Sequence, residues 1–192
     1  MRIERWIGPG VLACLLLAGC EQKKPEPVEA VAAPGAEQVR AVIGAEGGEL
    51  RFPSGGARLV VPEDVLQEEI SIILEREEPS FDLAGKDFVG RAYRISPRIT
   101  FAPGAARLYV PVDRELPGLP AEIDLKMYDY GKLRSDGPAG PTVTHTWKPQ
   151  PLAKFDGYSQ DQKHLVFWIY ETISDRSTKA PFGLFQVGYD IR

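Results

Sequence analysis

The chain has 192 residues, of which 43% are hydrophobic and 26% charged, and its formal net charge is −4. This length allows one domain with a hydrophobic core, and the composition is ordinary for a globular protein. The sequence has no dense basic patch, which argues against a nucleic acid as the partner.

The first 19 residues have the pattern of an export signal. Arg2 and Arg5 precede an apolar run at residues 11–18, which contains Cys14. This run is too short for a normal membrane span. We therefore predict a signal peptide over residues 1–19.

The signal ends in Leu17, Ala18, Gly19 and Cys20, a sequence that resembles the lipobox of bacterial lipoproteins. The resemblance implies cleavage before Cys20 and lipid on its thiol and its new amine, so that the protein binds a membrane through this lipid. By resemblance to enterobacterial lipoproteins, the absence of an aspartate after the lipidated cysteine implies the outer membrane of the cell envelope. The alternatives are a buried transmembrane helix and an ordinary signal peptide with a chance cysteine.

Residues 21–36 contain three prolines, alternating charges and no aromatic residue. Such a composition cannot bury a core and is typical of an extended, disordered tether. We therefore divide the chain into a signal peptide (1–19), a lipidated cysteine with a proline-rich tether (20–36) and a single domain (37–192).

The start of the domain alternates β-type runs with turn clusters. Residues 49–52 and 70–75 alternate between apolar and polar side chains, and residues 58–61 form an apolar, β-branched run. Period two is typical of half-buried strands, and the glycine and proline clusters between the runs favour turns. We predict three strands in an antiparallel meander.

Short motifs with glycine and proline follow one another in this region. They are IGAEGG (43–48), VVPEDVL (60–66), ISI (70–72), YRISPRITF (93–101) and LYVP (108–111). In this order they resemble the ZU-five domain, which occurs in zonula occludens proteins, netrin receptors and ankyrins, with similar domains in bacterial envelopes. The resemblance implies a β-sandwich interaction module and does not imply an enzyme.

The same patterns predict strands throughout the rest of the chain, with long loops at residues 131–141 and 149–162. About ten short strands without a long amphipathic helix are typical of an all-β, antiparallel β-sandwich. The further strands are predicted at residues 39–43, 88–96, 99–101, 106–112, 123–130, 142–147, 165–170 and 184–189.

The sequence contains no convincing catalytic or metal-binding motif. His145 and His164 are the only histidines; they lack a carboxylate-rich ligand spacing and are interpreted as ordinary surface residues. A G-x-S-x-G motif is absent, and the GAEGG run lacks the lysine that follows the glycines of a phosphate loop. We therefore predict no catalytic residue, no metal and no cofactor.

Five aromatic residues on predicted strands are candidates for a binding face. Exposed aromatic side chains can stack on sugar rings or anchor a protein partner, whereas the alternative is cross-strand packing inside the sandwich. The candidates are Trp168, Tyr170, Tyr128, Tyr130 and Trp147.

The strand at residues 165–170 is apolar on both faces. Its second face is either covered by the long predicted loops or exposed as an interaction site. The sequence thus predicts a lipid-anchored envelope protein with a non-catalytic β-sandwich that binds or scaffolds an unknown envelope protein or glycan. The alternative is a carbohydrate-binding or envelope-remodelling accessory protein, with or without enzymatic activity.

Overall fold

The computed structural model describes residues 26–53, 55–77, 86–102, 104–113, 115–116, 125–137, 140–149, 153–172 and 184–190. For residues 86, 129–137, 140–149, 184 and 190 only the backbone is described. The described residues form an all-β protein whose two six-stranded sheets make a β-sandwich, which confirms the predicted fold class.

The strands, in chain order, are β1 (Val28–Val31), β2 (Gln38–Ile43), β3 (Gly48–Arg51), β4 (Arg58–Val61), β5 (Ile70–Glu77), β6 (Lys86–Ser96), β7 (Ala106–Pro111), β8 (Lys126–Gly137), β9 (Gly140–Pro149), β10 (Ala153–Tyr158), β11 (His164–Ile169) and β12 (Leu184–Asp190). The first sheet has the order β1-β3-β4-β7-β11-β10, and the second sheet has the order β2-β5-β6-β12-β8-β9. The strand pairs are antiparallel except β1 with β3, which is parallel.

The core lies between the two sheets and is built from alternate residues of the strands. In the first sheet, Leu50, Leu59, Leu108 and Phe167 lie opposite one another on four neighbouring strands, and all four are almost completely buried. Burial of each such side chain contributes about 1.5–3 kcal/mol. Because successive side chains of a strand alternate between its faces, the residues between these four project to the outer face of the sheet.

The predicted meander at residues 49–75 is wrong. β3 and β4 form an antiparallel pair, but β5 pairs with β2 and β6 in the second sheet. The connection between β4 and β5 buries Val65 and Leu66 in the core as it crosses from one sheet to the other. Period-two alternation identifies the buried face of a strand but not its neighbouring strands, so it does not predict that β5 pairs with β2 and β6.

Two segments predicted as long loops are largely strands. Residues 131–137 continue β8, which pairs with β9, and residues 153–158 form β10. In β10 half-buried and exposed positions alternate, and Phe155 packs on Phe167 with 5.3 Å between ring centroids. The predicted strand at residues 99–101 is a single bridge between Thr100 and Glu171.

The tether prediction is also wrong for its second half. Residues 28–31 form β1, which pairs with β3 in register from Val28 with Gly48 to Val31 with Arg51. β3 would otherwise expose unpaired backbone groups at the edge of the sheet, and β1 satisfies them. Ala32, which follows β1, is buried, and its N–H donates to the carbonyl oxygen of Arg51 at 2.9 Å.

Candidate functional site

Two arginines and two aromatic residues lie together on the outer face of the first sheet. Arg107 on β7 lies opposite Trp168 on β11, and Tyr109 on β7 lies opposite both Arg58 on β4 and Val166 on β11. We call Arg58, Arg107, Tyr109, Val166 and Trp168 the arginine face. The alternation that buries Leu108 and Phe167 in the core is what brings these five side chains to the other side of the sheet.

Each arginine of this face stacks on the aromatic residue opposite it. The Cζ atom of Arg58 lies 3.8 Å from the ring centroid of Tyr109, and that of Arg107 lies 4.0 Å from the Trp168 ring. Such cation–π contacts contribute roughly 0.5–2 kcal/mol, depending on desolvation. Both guanidinium planes are therefore held in place by a flat partner, which lowers the entropy cost of further hydrogen bonds.

Acidic residues leave much of the hydrogen-bonding capacity of the two arginines unused. A terminal nitrogen of Arg58 lies 3.9 Å from Glu49 Oε2, which is too long for a hydrogen bond. Arg107 forms no ion pair with a described carboxylate. The Nε atoms of Arg58 and Arg107 are buried and donate to no acceptor among the described residues.

Four residues of the arginine face, Arg58, Arg107, Tyr109 and Val166, form the floor of an open concavity of about 670 Å³. One wall consists of Phe52, Pro53, Gly55 and Gly56 from the connection between β3 and β4, and the other is the β10–β11 hairpin, at residues 158–161. Ligand sites commonly have volumes of about 300–1,000 Å³, so the concavity is large enough for a small ligand or for one or two residues of a partner.

His164 joins the two walls. Its Nε2 atom lies 3.0 Å from the carbonyl oxygen of Gly55 and 3.1 Å from that of Gly56. Carbonyl oxygens only accept hydrogen bonds, so Nε2 carries the proton and donates. His164 is only 8% exposed, and its interpretation as an ordinary surface histidine is wrong.

The rim of the concavity is acidic. Hydrogen bonds from the Ser159 hydroxyl and the Lys163 N–H stabilise the Asp161 carboxylate and hold its pKa below the usual range, despite a small opposing effect of burial. Asp156 and Glu49 also line the concavity, as does Arg51, whose charge is paired with Glu29 at 2.7 Å. Negative charges at the rim thus surround a floor that carries the guanidinium groups of Arg58 and Arg107.

The five aromatic residues of the predicted binding face do not form one face. Trp168 and Tyr170 belong to the β11 end of the first sheet, whereas Tyr128, Tyr130 and Trp147 belong to the second. Tyr170 is 43% exposed and Trp168 is half-buried under Arg107. Tyr130 and Trp147 are register partners on β8 and β9, in the part where only the backbone is described.

Tyr128 is the aromatic residue whose predicted exposure is wrong. Its side chain is completely buried and packs edge-on against Phe88, with 5.8 Å between ring centroids. The neighbouring Met127 is buried as well, so β8 is covered on both faces at this point. Alternation alone predicted the direction of Tyr128 but not the cover on its outer side.

The second face of β11 is covered in part, although not by the predicted loops. Val166 is only 5% exposed, and Arg107 lies over Trp168. The cover at Trp168 therefore comes from a side chain of the neighbouring strand β7. Their spacing in the sequence puts Arg107 and Tyr109 on the same face of β7, but the contribution of Arg58 depends on the pairing of β4 with β7.

Cys20 and the lipobox residues Leu17, Ala18 and Gly19 lie outside the described residues. Within the described ranges, no helix is long and apolar enough to cross a membrane. The same part of the chain contains no group of three or more histidine, cysteine, aspartate or glutamate residues arranged to hold a metal ion.

No protein-family model matches this chain, and no curated protein is significantly similar to it. The resemblances to bacterial lipoproteins and to the ZU-five domain therefore stay predictions.

Proposed function

We propose that this protein is anchored in the bacterial cell envelope, in the outer membrane, through lipid on Cys20, and that its β-sandwich is a non-catalytic binding or scaffolding domain. The observation that carries the binding role is the arginine face. Two guanidinium groups are oriented by aromatic rings on the floor of an open concavity of about 670 Å³.

The concavity favours recognition over catalysis. Its histidine, His164, is nearly buried, and its Nε2–H is engaged by the carbonyl oxygens of Gly55 and Gly56. Nε2 therefore cannot act as a general base while its proton is shared with these two carbonyl oxygens. The other ring nitrogen, Nδ1, faces Asp161 Oδ1 at 3.8 Å. His164 thus has a structural position between the two walls.

The lipid anchor is supported by the agreement of three sequence features. An apolar signal segment, a lipobox-like sequence and a proline-rich segment follow one another at residues 1–36. Two or more acyl chains hold a protein stably at a membrane. An anchored domain with a recognition surface on the outer face of its first sheet is consistent with a scaffold that binds a partner at the envelope.

The binding role is tested by comparing capture from detergent-solubilised envelope by the full-length protein and three variants. The double variant Arg58→Ala with Arg107→Ala should no longer capture the partners that the wild type enriches. The single variant Arg107→Ala should lose most of this capture. Arg40→Ala is the matched control because Arg40 is an exposed arginine on β2 of the other sheet. Equal capture by the double variant and the wild type would overturn the proposed site.

A further inference from the structure

The positions of Arg58 and Arg107 in the sheet allow both to reach one ligand group. Arg58 pairs with Tyr109, and Arg107 is two residues before Tyr109 on the same strand, so the two arginines are diagonal neighbours on one face. Such positions lie about 7–8 Å apart. Two long arginine side chains that start from positions at this spacing can bring their guanidinium groups to opposite sides of a single oxyanion.

Both arginines are already positioned for such a group. Their Cζ atoms lie 3.8 and 4.0 Å from the ring centroids of Tyr109 and Trp168, and their Nε atoms are buried. The terminal nitrogens therefore provide the donors that face the concavity. A planar fork of N–H groups matches the oxygens of a carboxylate or a phosphate.

The rim charges limit what the anionic group can be attached to. Asp156, Asp161 and Glu49 line the same concavity, so a chain of phosphates or an anionic lipid surface would meet three carboxylates around the two arginines. Like charges at this range repel one another. A single acidic group flanked by neutral or hydrogen-bond-donating atoms avoids this cost.

Stacking of a sugar ring on Trp168 or Tyr109 is not favoured here. The face of Trp168 toward Arg107 is occupied by the guanidinium group at 4.0 Å, and Arg58 covers Tyr109 in the same way. Recognition at the floor of the concavity therefore depends on the N–H groups of the arginines rather than on the ring faces beneath them.

From this geometry we infer that Arg58 and Arg107 together bind one oxyanion, a carboxylate or a phosphate, of a small or locally monoanionic ligand, and that the acidic rim excludes polyanions. This inference rests on the proposed binding role of the arginine face, and it names the ligand chemistry. Asp156 and Glu49 discriminate by repulsion, which is a recognised route to specificity.

The test uses nuclear magnetic resonance of the arginine Nε–H groups in the full chain in detergent. The probes in the detergent sample are N-acetylglutamate for a carboxylate and inorganic phosphate for a phosphate; binding to anionic phosphatidylglycerol vesicles, for a polyanionic surface, is measured separately without detergent. We expect one of the two small anions to shift the Arg58 and Arg107 signals saturably, which also distinguishes carboxylate from phosphate. Failure of both small anions to shift these signals at tens of millimolar would overturn the inference.

Variants separate recognition from folding. The double variant Arg58→Lys with Arg107→Lys keeps both positive charges but removes the forked N–H groups of the guanidinium. It should bind the small anion at least tenfold more weakly, whereas Arg40→Ala should bind it with unchanged affinity. Asp156→Asn should increase the affinity of the protein for the vesicles. If the wild type binds the vesicles through Arg58 and Arg107 as tightly as it binds the small anion, the exclusion of polyanions is overturned. If no probe binds but envelope capture still depends on Arg58 and Arg107, the inference fails and the proposed function stands. If a small anion binds but capture is unchanged in the double alanine variant, the proposed function fails.

Discussion

The imidazole Nε2 of His164 donates a hydrogen bond to the carbonyl oxygen of Gly55 across 109 residues of sequence, at 3.0 Å. This contact joins the β3–β4 connection to the β10–β11 hairpin, so the two walls of the concavity are held by one side chain. Loss of a partner from a buried donor or acceptor costs about 1–3 kcal/mol.

We therefore expect His164→Ala to lower the free energy of unfolding by about 1–3 kcal/mol and to weaken binding in the concavity. Urea unfolding would measure the loss of stability, hydrogen exchange at the amide of Gly56, which donates to the carbonyl oxygen of Pro53 at 3.3 Å, would report loosening of the wall, and the capture assay would measure binding. Lys163→Ala is the control, because Lys163 is the exposed neighbour. A stability equal to that of the control would show that the histidine does not hold the walls.

A methyl group at Gly48 should displace β1 without unfolding the sandwich. A Cβ atom built there lies 2.5 Å from the carbonyl oxygen of Val28 on β1, a distance that real Cβ contacts do not reach. In Gly48→Ala we expect the amides of Val28 and Ala32, which bond to the carbonyl oxygens of Gly47 and Arg51, to exchange rapidly. Ala33→Val, at an exposed position after β1, should leave their protection intact; retained protection in Gly48→Ala would contradict the parallel pairing.

Trp168 and Arg107 should stabilise the domain as a coupled pair. Because Trp168 is half-buried, Trp168→Ala should lower the free energy of unfolding by less than the roughly 3–5 kcal/mol that removal of a fully buried tryptophan costs. A double-mutant cycle with Arg107→Ala should give a coupling of about 0.5–2 kcal/mol if the rings and the guanidinium group are in contact. Additive effects in thermal melts would mean that the stack contributes nothing to stability.

Tyr93 should make the domain sensitive to alkaline pH. Burial of its side chain raises the pKa of the phenol to about 12, against about 10 in an unfolded chain. Because the folded pKa lies above the unfolded one, the contribution to stability is complete below pH 10 and falls as the pH rises toward 12. Two pKa units correspond to about 3 kcal/mol.

Tyr93→Phe should remove this part of the pH dependence. We expect urea unfolding between about pH 9 and 11.5 to give a shallower loss of stability for the variant than for the wild type. Tyr158→Phe is the control, since Tyr158 is an exposed tyrosine at the end of β10. Identical slopes for the wild type and Tyr93→Phe would exclude Tyr93 as the source.

The anchor prediction concerns Cys20. If Cys20 carries two or more acyl chains, Cys20→Ser should move the protein from the membrane fraction to the soluble fraction or leave it unprocessed. Metabolic labelling with a fatty acid and cell fractionation would measure this. If Cys20→Ser is processed and fractionates like the wild type, the lipoprotein prediction is contradicted.

The strands most easily predicted from the sequence were those with clear alternation of apolar and polar residues, such as β3 and β5. β10 was missed because its sequence, AKFDGY, contains polar and glycine residues and only one large apolar side chain, Phe155. β1 was missed because its burial depends on an edge of β3 that composition does not reveal. Local alternation reports the face of a strand, whereas its neighbours are set by the whole chain.

The candidate site shows the same limit. Arg107 and Tyr109 could be placed on one face from their spacing, and β11 could be identified as apolar on both faces. The stack of Arg58 on Tyr109 and the bond from His164 to Gly55 both join residues that are far apart in sequence. No local pattern contains that information, so the concavity could be described only from the pairing of the strands.

The parallel pairing of β1 with β3 has a mechanical consequence if the chain is anchored at Cys20. β1 is the first strand in the described part of the chain, so tension between the membrane and a partner held on the first sheet would load the β1–β3 hydrogen bonds before the other strand pairs that the structure describes. Detachment of β1 would release residues 28–36 as extended chain and add roughly 30 Å of reach. Under tension β1 would thus detach first and lengthen the connection to the membrane, while the two-sheet core stays folded.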